Sequence, residues 1–208
     1  MILGKDKEQK TTEESEDNST EAMVDLLGSL QKGPEQRSIM FVGELNEEKA
    51  ADLISALLVL SQEKDKDEER AEDIKLYIST YGGSAHEMFG IYDVMNFCKS
   101  FCDIETIGIG KVMSAGTLLL SAGTQGKRKL GKNCQVMIHS VNGGSIGELH
   151  NLENEMEQMK NLQDMYIQCL SGETSMTKRQ IQTLINRKVN VYLSAEEAIE
   201  KGLADGVL

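Results

Sequence analysis

Three places in this chain have residue types and settings that acyl-transfer chemistry needs. Ser114 follows the apolar run Ile104 to Ile109 and a glycine-flanked turn, and stands at the mouth of the apolar segment Ala115 to Leu120. A serine there lies beside the unsatisfied N–H groups of a helix start and the positive end of its dipole. That setting suits a nucleophile whose attack creates an oxyanion, and equally an ordinary helix N-cap. His139 stands near the end of the β-forming run Gln135 to Ser140, where it meets glycine-rich chain. A histidine at such an edge can reach a cleft as a general base, or fill a structural role. Gly82-Gly83 follow the strand-like run Ile74 to Ile78. Paired glycines let backbone N–H groups face a ligand, though they also make plain strand-to-helix turns.

Other chemistries find no footing in the sequence. It contains no GxGxxG, no GxxxxGK[ST], no HExxH and no cysteine–histidine cluster of zinc spacing, so neither a cofactor nor a metal is expected. A GxSxG elbow is not met, because Val112 stands where the first glycine belongs, although Gly116 is in place. The tetrapeptide Ser-Ala-Gly-Thr occurs at 114–117 and again at 121–124. Ser121 falls near a helix end, where the dipole favours cations, so Ser114 is the better nucleophile. His86 and His150 fall on predicted helices among acidic neighbours.

The elements that must position these residues alternate. Ser38 to Val42 reads as a strand, and Asn46 as the cap of a helix reaching Ser61 on Ala50, Leu53, Ile54, Leu57 and Leu58. Ile74 to Ile78 is a strand broken at Tyr81-Gly82-Gly83, and residues 85–100 form a helix. The strand at 104–109 leads to Ser114 and its helix, and Lys127 to Leu130 and Gln135 to Ser140 follow. The longest periodic stretch, 149–170, is a helix of about six turns. Thr177 opens a short helix, Asn190 to Leu193 is extended, and Ser194 with Glu197 makes a capping box for a helix at 195–201 closed by Gly202. Such alternation predicts an α/β domain over residues 37–208.

Charge and composition narrow the partners. The net charge of −12 argues against nucleic acid. Residues 1–35 carry nine acids against four lysines, and residues 63–73 carry seven acids against three bases. Both runs read as solvated chain, with disorder expected over 1–21 and a short amphipathic helix considered at Ala22 to Leu30. No apolar run has membrane-span length and no signal pattern opens the chain, so a soluble protein that stays where it is made, in the cytoplasm, is expected. Cys98, Cys102, Cys134 and Cys169 lie in apolar surroundings without CxxC spacing, which reads as buried reduced thiols.

The phrases SIMFVGEL, IKLYISTYGGS, GIYDVMNF, GKVMSAGTLLLSAGTQGKR, QVMIHSVNGG and YLSAEEAIEKGLAD resemble the Clp serine peptidase (ClpP) family. The resemblance runs from about Ser38 to Leu208. It implies a ClpP/crotonase-like fold of βαβ units with a protruding handle made of a strand and a long helix. It also implies an ATP-dependent serine endopeptidase, acting on unfolded polypeptides and peptides without a cofactor. Matched position by position, Ser114 is the nucleophile, His139 the base and Asn190 the third member, with the backbone N–H groups of Gly83 and Ala115 as the oxyanion site. Partners implied by the family are further subunits in two stacked heptameric rings, as a homo-oligomer or mixed with a paralogue, and a Clp AAA+ unfoldase. Membranes and nucleic acid are not among them.

This sequence departs from the family at four points. Asn190 replaces the usual aspartate, Tyr81 and Ser140 stand at usual prolines, and residues 1–36 do not resemble the segment that lines the axial pore. An amide can hold the histidine tautomer but brings no charge to support an imidazolium. A weakly active or structural subunit of a mixed ring is therefore the alternative. A crotonase-type acyl-CoA enzyme shares the glycine-built oxyanion logic, but leaves the serine and histidine unexplained.

Overall fold

The computed structural model describes residues 37–64, 69–187 and 189–208. The leader at 1–36, with the helix considered at Ala22 to Leu30, lies outside the described residues, as does the middle of the acidic run. Residues Arg37–Leu208 form one compact unit. Its strands are β1 (Ser38–Leu45), β2 (Ile74–Gly83), β3 (Ile104–Met113), β4 (Arg128–Leu130), β5 (Gln135–Ile138), β6 (Val191–Leu193) and β7 (Gly206–Val207). Its helices are α1 (Glu47–Gln62), α2 (Ala85–Cys98), α3 (Ala115–Ser121), α4 (Leu149–Glu173), α5 (Lys178–Ile185) and α6 (Ala195–Glu200).

The sheet runs β1-β2-β3-β4-β7 with every pair parallel; β5 joins β3 in parallel and β6 joins β5 antiparallel. This is the mixed α/β architecture predicted from the alternation. Strand β3 is the pivot. Thr106–Gly108 pair with β4, whereas Lys111–Met113 pair with β5. Between them Gly110, at φ +68°, supplies the bend that lets one strand serve two neighbours.

Two strands run further than the sequence reading places them. The residues after Ile109 read as a turn, yet β3 continues to Met113. Gly108 is there for packing: a Cβ on it would lie 2.6 Å from Leu130 Cδ2 and 2.8 Å from Val112 Cγ2. Likewise Tyr81-Gly82-Gly83 read as a break, yet β2 runs through Gly83, which pairs with Leu45 of β1.

Helix positions follow from burial and caps. Asn46 accepts from Lys49 N at 2.9 Å to start α1, which buries Ala50, Leu53 and Leu57. Ser194 and Glu197 form the reciprocal capping box of α6. All seven residues of α3 are buried, as a helix without a polar face must be. That burial fixes the place of Ser114, one residue before it. The 25-residue α4, about 37 Å long, buries only Tyr166, Ile167 and Leu170.

An ion pair between buried Arg128 and exposed Asp205 pins the C-terminal chain to this framework. Arg128 binds Asp205 through Nε at 2.9 Å and Nη2 at 2.5 Å, and donates to Ser121 O and Glu173 O. The Arg128 guanidinium holds the Asp205 carboxyl below the usual carboxylate range. A carboxylate with a lowered folded-state value stabilises above its unfolded value, near 3.9, and loses that contribution as pH falls through the lowered one. Asp205→Asn is expected to cost about 1–2 kcal/mol at neutral pH, less than a fully buried pair would, because the carboxylate is exposed and Arg128 keeps its bonds to Ser121 O and Glu173 O. In thermal melts against pH, the gap to wild type should close on acidification below about pH 4.

Candidate active site

The functional candidates gather where the strands end. Gly83 closes β2, Ser114 follows β3 and His139 follows β5, so all three lie at the carboxyl ends of parallel strands. Ligand sites of open α/β sheets form at this edge, where the strand order splits. Strand β5 pairs Met113 with Met137, and Ser114 N donates to Met137 O at 2.9 Å, so serine and histidine leave adjacent strands together. Strand β6 is antiparallel, and its register pairs Ile138 with Val191. His139 and Asn190 each lie one residue beyond this last pair, at the same edge of the sheet.

Ser114 has φ +55° and ψ −120°, a positive φ otherwise found only at glycines among the described residues. A non-glycine residue held there costs about 1–3 kcal/mol and persists only where packing imposes it. A nucleophile elbow uses this kind of sharp strand-to-helix turn to present a hydroxyl. Ser114 occupies the N-cap position but makes no side-chain cap hydrogen bond. Instead Thr117 takes the cap region, its N and Oγ1 both donating to Ser114 O. The N-cap reading of the serine therefore fails at its hydroxyl, which is left for the cleft.

The first glycine of the pair fits against that serine and the second against β1. A Cβ on Gly82 (φ +105°) would lie 2.6 Å from Ser114 Cβ, and one on Gly83 (φ +149°) 2.1 Å from Leu45 O. Buried Thr80 locks the turn, accepting from Gly82 N at 2.9 Å and donating to Gly43 O. A cleft of about 140 Å³ results. Gly83, Ala115, Ser114 and His139 line it, with Met88, Val141, Asn142 and Tyr166 among the remaining walls.

Ser114 and His139 are half-buried and Asn190 is exposed outside the cleft lining. Among the described residues none of the three side chains makes a hydrogen bond. Catalytic hydrogen bonds are often open without substrate and tighten in the complex. His86 and His150 are exposed on α2 and α4, away from the cleft. The cysteines also lie elsewhere: Cys98, Cys102 and Cys134 are buried and Cys169 is half-buried. Burial pushes every one of these thiols up, Cys134 to about 11, which leaves them inert beside a serine in the cleft.

The Clp protease family model matches residues 18–208. This chain belongs to the Clp protease family. The match reaches back into the 1–36 leader, further than the phrases from Ser38 onward. Among relatives, the chain is 33% identical over 201 residues to the ATP-dependent Clp protease proteolytic subunit 4, chloroplastic, of Arabidopsis thaliana. The alignment covers 97% of this chain and 64% of that protein, so the chain spans less than two thirds of its relative.

In this Clp-family chain the sequence reading overlooked two residues beside the serine. Thr117, three residues on, holds the Ser114 carbonyl, and Tyr166 reaches the cleft from α4. Thr117 carried a signal in its spacing from Ser114. Tyr166 was visible only as one more residue on the apolar stripe of a long helix.

Proposed function

We propose that this chain is a serine endopeptidase subunit of a compartmental Clp-type protease, acting on unfolded polypeptides and peptides. Ser114 Oγ attacks the scissile carbonyl and His139 takes the hydroxyl proton, then returns it to the leaving amine. Asn190 orients the imidazole. The N–H groups of Gly83 and Ala115 receive the oxyanion that forms. Water admitted to the acyl-enzyme, with its proton passed to His139, completes hydrolysis. The observation that carries this reading is the strained, uncapped Ser114 beside a strand-end histidine in one cleft.

A ring assembly goes with this function in our reading, homo-oligomeric or shared with a paralogue, as two stacked heptamers fed by a Clp AAA+ unfoldase. Leu149 (67% exposed), Met156 and Met165 on α4 support it, because an amphipathic helix without cover seeks a partner. Buried thiols suit a reducing compartment, the cytoplasm in this reading. A second reading rests on Asn190: the chain is a ring subunit with little cleavage of its own.

Sizing in solution combined with hydrolysis of a fluorogenic peptide tests the proposal. The expected result is cleavage that co-elutes with the ring and needs no ATP. Assembled rings without cleavage point to the structural subunit.

A further inference from the structure

Behind Ser114 lies a hydrogen-bonded pair that the mechanism above does not use. Tyr166 is 5% exposed, and its Oη lies 2.8 Å from Thr117 Oγ1. Thr117 Oγ1 in turn donates to Ser114 O, and Thr117 N reaches the same carbonyl at 2.9 Å. A threonine hydroxyl has one proton. With that proton on the Ser114 carbonyl, the phenol must be the donor of the Thr117–Tyr166 bond. The order is Tyr166 O–H to Thr117 O–H to Ser114 C=O, a chain in which each bond polarises the next. A tyrosine phenol carries its proton at neutral pH, and burial pushes that of Tyr166 further up, to about 12.

The carbonyl held this way belongs to the peptide unit that contains the N–H of Ala115. That unit is planar and trans, so its C=O and N–H point in opposite directions. Anchoring the carbonyl on the Thr117 side therefore aims the Ala115 N–H away from it. Ser114 sits in a sparsely populated backbone region, and with the Thr117 N–H as its one remaining anchor the peptide plane has more freedom to rotate towards a relaxed conformation. Tyr166 makes its contact from α4, so the aim of the donor depends on the seating of that helix.

We propose that Thr117 and Tyr166 are positioning residues that orient the Ser114–Ala115 peptide plane, and with it one donor of the oxyanion site. The proposal rests on the peptidase reading and adds a specific consequence: the pair acts on the transition state, not on ground-state peptide binding. Thr117→Val keeps the shape and removes the hydroxyl, Tyr166→Phe removes only the phenol oxygen, and Thr117→Ser keeps the hydroxyl.

The test measures kcat and KM for peptide hydrolysis, and the affinity for a peptide boronate whose serine adduct mimics the tetrahedral intermediate. Melting temperature and ring size are followed for each variant. Thr117→Val should lower kcat about tenfold and Tyr166→Phe about threefold, with KM within about twofold of wild type. Boronate affinity should fall in parallel with kcat. Thr117→Ser should recover most of the rate, and the double variant should be no slower than Thr117→Val alone. Wild-type kcat in Tyr166→Phe and Thr117→Val overturns the proposal, and so does a Thr117→Ser protein as slow as Thr117→Val. If Thr117→Val does not fold, Tyr166→Phe decides alone. A wild-type ring that neither hydrolyses peptide nor binds the boronate removes the peptidase reading and this proposal together, whereas an active wild type with unaffected variants removes only this one.

Discussion

Replacing Ser114 with alanine should lower peptide hydrolysis by roughly 10⁴- to 10⁶-fold, the range seen when a serine nucleophile is deleted from an intact site. The alanine keeps the positive φ of residue 114, so the turn remains as strained as before. Glycine at the same position removes the hydroxyl and the strain together. Ser114→Gly should be as inactive as Ser114→Ala, yet more stable than wild type by about 1 kcal/mol, the usual worth of relieving a left-handed residue. Paired activity assays and thermal melts read both effects. A chain in which Ser114→Gly loses stability would have no strain stored at its serine, and the physical reason for treating this turn as an elbow would go with it.

The second large effect concerns Asn190. In a serine protease, the aspartate-to-asparagine change drops turnover about 10⁴-fold, because the amide selects the wrong tautomer and leaves the imidazolium unsupported. Asn190 and His139 each lie one residue beyond Ile138 and Val191, the last pair of β5 with β6. Asn190→Asp should therefore raise kcat. The gain should fall well short of that ceiling, at about 10- to 100-fold, because residue 190 is exposed and water screens an added charge there. Steady-state kinetics on assembled rings checks it. An unchanged or lower rate would mean that the local geometry has adapted to an amide.

Much of this architecture could be read from local sequence, and particular residues show why. Asn46, and Ser194 with Glu197, announce helix starts through chemistry confined to a few positions. The strand ends were harder, because glycine in a sequence reads as a turn while glycine in this structure often marks close approach. Gly82 sits inside β2 against Ser114, and Gly83 beside it against Leu45; in each case the crowding residue is remote in the chain. The same limit applies to the site. Ser114, His139 and Gly83 could be singled out from residue type and strand ends, and the cleft brings them together. Their neighbourhood depends on the split of β3 between β4 and β5, which no local pattern encodes. Tyr166 escaped notice for this reason, since its role appears only once α4 is packed against α3.

Reaction with a fluorophosphonate, followed by peptide mapping, tests the acyl-transfer chemistry most directly. Phosphonylation needs an activated serine hydroxyl next to a base and an oxyanion site, the combination attributed here to Ser114, His139, Gly83 and Ala115. The expected result is one label, on Ser114, formed by assembled wild-type protein and strongly slowed by His139→Ala. A label on another residue, or a Ser114 that stays unmodified in intact rings, would contradict it.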